Sequence, residues 1–148
     1  MAISNRDRIG SMLEMMAEPL DRFISDAVAE VTHKDWTLIL AAVDADRGGA
    51  QPEYSRRDPQ VQFRFIADGI PAKYRQRWYP FSKQLSRAQE SYVDELKEIR
   101  NRWAHNDSFT DDDAYRALDT GERLLAAIGA PEVAERVAGI RRDLRRTS

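Results

Sequence analysis

A chain of 148 residues has the length of one domain with a core of its own, and 42% apolar residues is ordinary for a folded protein. Charged residues make up 32%, above the usual quarter, which fits helices with well-solvated faces. The 23 basic and 25 acidic residues leave a net charge of −2, so any nucleic-acid contact must use a local basic patch, and with no cysteine the chain has no disulfide, no thiolate chemistry and no thiolate zinc site.

Neither a secretory apolar region nor a run near the length of a membrane span is present, so a soluble, cytoplasmic protein without membrane contact is expected.

The pattern is helical almost throughout. Ile9, Met12, Leu13, Met16, Leu20, Phe23, Ile24, Ala27, Val28 and Val31 recur at three- and four-residue steps, predicting one buried helical stripe. Ser4 or Asn5 can cap its start, and Pro19 is a potential kink. A second helix is predicted from about Lys34 to Arg47, with Trp36, Ile39, Leu40 and Val43 inward and Gly48-Gly49 stopping it. Residues 49–58 read as a loop. Asp58-Pro59 is a cap with proline at the first helical position, opening a short helix that ends near Gly69. Residues 70–81, with Pro71, Pro80, Tyr74, Trp78, Tyr79 and Phe81, are expected to be an irregular aromatic segment that plugs the core.

The longest helix is predicted from about Ser82 to Ala104, with Leu85, Ala88, Tyr92, Leu96, Ile99 and Trp103 as its seam. Thr110, with Asp113 three residues on, resembles a capping box. The helix it opens carries Ala114, Ala117, Leu118, Leu124, Leu125 and Ile128 and ends at Gly129; Pro131 starts the last, with Val133, Val137, Ile140 and Leu144. The fold class expected is an all-α antiparallel bundle of about five to six helices, forming a single domain over residues 1–148. The charged end, Arg141 through Ser148, fits a natural terminus and equally a cut inside a longer protein, of which this domain would be the N-terminal part.

Chemistry points to Arg100-Asn101-Arg102-Trp103-Ala104-His105, because the chain has only two histidines and His105 stands beside a cation and a carboxamide. On a helical wheel of about 100° per residue, Ile99, Trp103, Tyr92 and Leu96 form one stripe. Asn101 and His105 fall nearly opposite it, and Arg100 lies between the faces. This trio suits attack on a phosphodiester without a metal. Imidazole moves a proton, guanidinium matches phosphate bidentately, and the carboxamide orients the histidine or holds the phosphate. One Arg with one His is a thin site, which two copies across a two-fold axis would complete. The competing reading is a helix end whose polar groups bond the last carbonyls.

Arg100 and Asn101, with His105 after the gap, resemble the defining motif of the HEPN superfamily. The longer string Leu96 to His105, followed by Phe109 and by Asp112 to Asp119, is similar to the Swt1-like branch, named after a nuclear transcript-surveillance endoribonuclease. The specific part covers roughly residues 85–130. The resemblance implies a helical bundle that dimerises with its motifs facing one another, and a metal-independent endoribonuclease leaving a 2′,3′-cyclic phosphate. Arg100 would stabilise phosphate charge, His105 would be the acid–base group and Asn101 would orient it, with no cofactor. In bacteria such domains often precede an ATPase or helicase-like region in phage-conflict systems, so a silent dimerisation or RNA- or nucleotide-sensing module serving such a partner is the alternative. One toxin branch has a modified Tyr two residues after the His; here that position is Asp107, which speaks against that pairing. Asp107 and Asp111–Asp113 would repel a phosphate backbone unless Arg102 and Arg116, the expected RNA-binding cations, offset them.

Of the remaining residues, His33 fits a turn, and the acids at 111–113 fit the positive end of a helix dipole better than a metal. Arg56, Arg57, Lys73, Arg75 and Arg77 alternate with Tyr54, Tyr74, Trp78 and Tyr79, a mixture suited to RNA contact or to a core with a charged rim. The methionines at 12, 15 and 16 fit core or dimer packing.

Overall fold

In the computed structural model, residues 3–71 and 77–147 are described, and among them every regular element is helical. The order is α1 (Asn5–Ala29), α2 (Trp36–Asp46), α3 (Pro59–Asp68), a single 3-10 turn (Phe81–Lys83), α4 (Arg87–Ala104), α5 (Asp111–Ala127) and α6 (Pro131–Thr147). The all-α expectation is met. No described helix is long and apolar enough to cross a membrane.

Ser4 caps α1 by accepting from the Asp7 N–H, and the helix runs through Pro19 without a break. Its stripe Ile9, Met12, Leu13, Met16, Leu20, Ile24, Ala27 and Val28 is buried, while Val31 lies past the helix end and is 39% exposed. A fully buried Leu, Ile or Met contributes about 1.5–3 kcal/mol, so this stripe organises the bundle. α1 touches each of the other five helices. Against α5 the approach is close: a Cβ on Gly121 would stand 2.4 Å from the Met12 sulfur.

Asp35 caps α2 by accepting from Thr37, which sets its start at Trp36. Trp36 and Leu40 are buried, and Ile39 and Val43 are only half-buried. The α3 signals are as expected, with Asp58 capping, Pro59 at the first turn and Gly69 at φ 72° closing the helix. A side chain at Gly69 would strike the Tyr79 backbone, with Cβ 2.6 Å from its carbonyl oxygen. The segment after it only partly plugs the core: Phe81 is fully buried between Phe23 and Phe65, Trp78 and Tyr79 are half-buried, and Tyr74 lies outside the described residues.

The start of α4 differs from the expectation. Ser86 and Gln89 form a reciprocal capping box, so the helix begins at Arg87, and Leu85 is buried from the preceding turn. Val93, Leu96 and Ile99 face inward; Ala88 is exposed and Tyr92 half-buried. Thr110 and Asp113 form the expected box at α5. α5 and α6 follow each other through a three-residue turn and make the most extensive helix pair.

Candidate functional site

The C-terminal turn of α4 is clamped to the start of α1 by one tryptophan. Trp103 Nε1–H donates to the Arg6 carbonyl at 3.1 Å, while the Arg6 guanidinium donates back to the Trp103 carbonyl and lies 4.7 Å over the indole ring. Gly10 makes this fit, since its absent Cβ would lie 3.2 Å from the ring. Trp103, expected in the core seam, is therefore a half-buried wall between two helices.

Val93 explains which way Arg100 turns. Seven residues apart, the two lie about 20° from each other on the wheel, so a buried Val93 brings the inward face up to Arg100. Arg100 is half-buried and lines an open groove of about 1220 Å³ with Arg6, Arg57, Trp103 and Arg136. Asn101 and His105 are exposed and line none of the main grooves. His105 is the C-cap of α4, its backbone N–H bonded to the Asn101 carbonyl at 3.1 Å. Within one chain the guanidinium and the imidazole thus occupy different sides of one helix end. No side-chain hydrogen bond or ion pair to a described residue is made by Arg100, Asn101 or His105.

Arg102 and Arg116 are placed otherwise. Arg102 donates to the Ser108 carbonyl at 3.0 Å, reaches Asp113 at 3.4 Å and Asp107 at 3.9 Å, and covers the Phe109 ring at 4.6 Å. It ties down the loop that follows His105. Arg116 grips Glu95 on α4, with its Nε at 2.7 Å. Of the acids near the motif, Asp107 and Asp113 are partly neutralised by Arg102, and Asp111 accepts from Asn5 at 2.8 Å, while Arg116 reaches none of them. The Asp113 carboxyl sits below its ordinary range, chiefly through the Thr110 backbone N–H and further through Arg102. Among the described residues no group of three His, Asp or Glu side chains could hold a metal ion.

The mixed aromatic and basic stretch divides up. Arg56 is spent on Asp21, Ser25 and Asp35. Tyr54 and Arg64 both bond Asp44, and Arg77 reaches Asp94 at 3.7 Å. Lys73 and Arg75 lie outside the described residues. Arg57 alone of the described cations in that stretch lines the groove. Sequence reasoning did not group Arg6, Arg57 and Arg136 with Arg100, because they come from four separate parts of the chain. His33 is exposed in the bend before α2.

No curated protein and no solved structure matches this chain. The family description Swt1-like HEPN matches residues 11–129, from the second turn of α1 to the end of α5, and so reaches well beyond the stretch around the motif. Arg6, Gly10 and α6 fall outside the match. On that match, spanning well over half its length, the chain belongs to the Swt1-like HEPN family.

Proposed function

We propose that this domain is a metal-independent endoribonuclease whose site is completed by a second copy of the chain. The observation that carries the reading is the contrast at the end of α4: Arg100, Asn101 and His105 make no side-chain hydrogen bond or ion pair among the described residues, while Arg102 between them is bonded to carboxylates. A motif serving only the helix end would bond the last carbonyls with its side chains. Here the Trp103 carbonyl is taken by Arg6 instead.

In the reaction, one His105 removes the proton from a ribose 2′-hydroxyl, whose oxygen attacks the adjacent phosphorus. The P–O5′ bond breaks, and the partner's His105 protonates the leaving oxygen, giving a 2′,3′-cyclic phosphate and a 5′-hydroxyl. Arg100 holds the non-bridging oxygens as charge gathers on them, and Asn101 orients an imidazole. Arg102, paired with Asp107 and Asp113, keeps those acids from repelling the RNA. Because Arg100 and His105 face different sides of one helix end, a two-fold arrangement is the simplest way to present both to one phosphate.

The test is cleavage of a labelled RNA in EDTA, with product ends identified. His105→Ala and Arg100→Ala should each lower the rate by about 10²-fold or more while leaving the melting temperature nearly unchanged. Cleavage that survives both changes, or that needs added metal, overturns the mechanism. A chain of dimeric mass that never cleaves would instead be the silent sensing module, serving an ATPase or helicase-like partner.

A further inference from the structure

We infer that the groove between the start of α1, the end of α4, the entry to α3 and α6 is a phosphate track that carries single-stranded RNA to Arg100. The inference rests on the reading of Arg100 as a phosphate-binding group. Four arginines, Arg6, Arg57, Arg100 and Arg136, line this groove. None of them belongs to an ion pair among the described residues, although most other arginines do. The groove's carboxylates are Asp7, Glu14 and Glu18, and Glu18 is already engaged by Arg22 at 3.2 Å. Four guanidinium groups against three carboxylates, one of them already taken by Arg22, leave the groove a net positive lining, which an arriving phosphate meets through bidentate guanidinium contacts.

Size and shape select the ligand. At about 1220 Å³ and open to solvent, the groove exceeds the ~300–1,000 Å³ of small-molecule sites, which favours a chain of phosphates over one nucleotide. Its neighbour gives it an end. Arg136, Met15 and Glu18 are shared with an adjoining groove of about 740 Å³ that carries Asp26, Glu30 and Glu132, where a polyanion is repelled. The strand therefore turns away beyond Arg136, leaving Arg100 as the motif residue it meets. The chain's net charge of −2 is no obstacle, because attraction is local to this face.

Arg57 and Arg136 are exposed and make no side-chain hydrogen bond or ion pair among the described residues, so reversing their charge breaks none. The experiment is fluorescence anisotropy of a labelled oligoribonucleotide with the full chain carrying His105→Ala to prevent cleavage. Arg57→Glu with Arg136→Glu should weaken binding by at least about tenfold and flatten the salt dependence by about 1.4 in log–log slope, two single-strand phosphate contacts. Arg123→Glu with Arg142→Glu makes the same charge change outside the groove and should alter affinity less than about twofold. Equal losses from both pairs, or none from the groove pair, overturn the track, as does duplex DNA or heparin binding through the same arginines as tightly as RNA. Cleavage by the chain with His105 intact is read separately. Loss of binding with cleavage independent of His105 keeps the track and removes the catalytic reading, while unchanged binding with His105-dependent cleavage does the reverse.

Discussion

Arg100 and Arg102 stand two residues apart on α4, and their surroundings follow opposite rules. Around Arg102 each charge finds a partner: Asp107, Asp113 and the Ser108 carbonyl converge on one guanidinium, and a phenyl ring lies beneath it. Around Arg100 the groove's four cations outnumber its three acids and form no ion pair among the described residues, Arg6 being held by the Trp103 carbonyl and its indole. The first region spends its charge on fixing a loop. The second keeps its charge available. Such a difference within one helix turn shows why a charged residue near a motif cannot be assigned a role by proximity, and why the groove is the better candidate for contact with a polyanion.

The largest effect on this contrast should come from the wall that makes the groove. Trp103→Ala removes an indole that packs on Gly10, lies under the Arg6 guanidinium and donates to the Arg6 carbonyl, leaving of the clamp between α1 and α4 only the Arg6 bond to the main-chain carbonyl. Urea unfolding should show a loss of about 3 kcal/mol, at the lower end for an aromatic truncation because the ring is half-buried. A loss below about 1 kcal/mol would mean that the groove is not rigidly built and that its arginines are ordinary surface charges. Arg102→Ala should cost less, about 1 kcal/mol, since its partners are exposed and can turn to water. Its stronger effect should be on cleavage, because the freed loop begins at His105. If cleavage is indifferent to Arg102→Ala, the loop does not position the imidazole.

Much of the fold was legible because its signals are local. Ser4, Asp58-Pro59, Thr110 with Asp113, and Gly129 each act within a few residues, and the structure uses them as caps and stops. The start of α4 was misread where two local signals competed. Apolar spacing ran back to Leu85, but the Ser86–Gln89 box offers a better start, and Leu85 reaches the core from the 3-10 turn instead. Val93, outside the expected seam, is fully buried, and Arg100, expected between the two faces, is half-buried at the edge of the inward one. The exposure of Asn101 and His105 was legible, since helical phase alone decides it. The cation cluster was not: Arg6, Arg57 and Arg136 meet Arg100 only through tertiary packing, which no spacing encodes.

The smallest effect separates the two regions by acidity. Asp113 lies below its ordinary range in the folded chain, first because the Thr110 N–H bonds its ionised form and then because Arg102 is near. A carboxyl depressed on folding stabilises the native state fully above its unfolded value of about 3.9, and that contribution is lost as pH falls through the folded value. Since the side chain is 40% exposed, solvent and salt screen it, and Asp113→Ala should cost only about half a kcal/mol at neutral pH. The difference between wild type and variant, followed by urea unfolding, should hold steady from about pH 7 to 5 and shrink toward pH 3. In an Arg102→Ala background it should be smaller at neutral pH, because one of the charges that favours the ionised carboxyl is gone. A difference unchanged at pH 3 would assign Asp113 to helix capping by shape alone, and would remove the paired-charge half of the contrast with the groove.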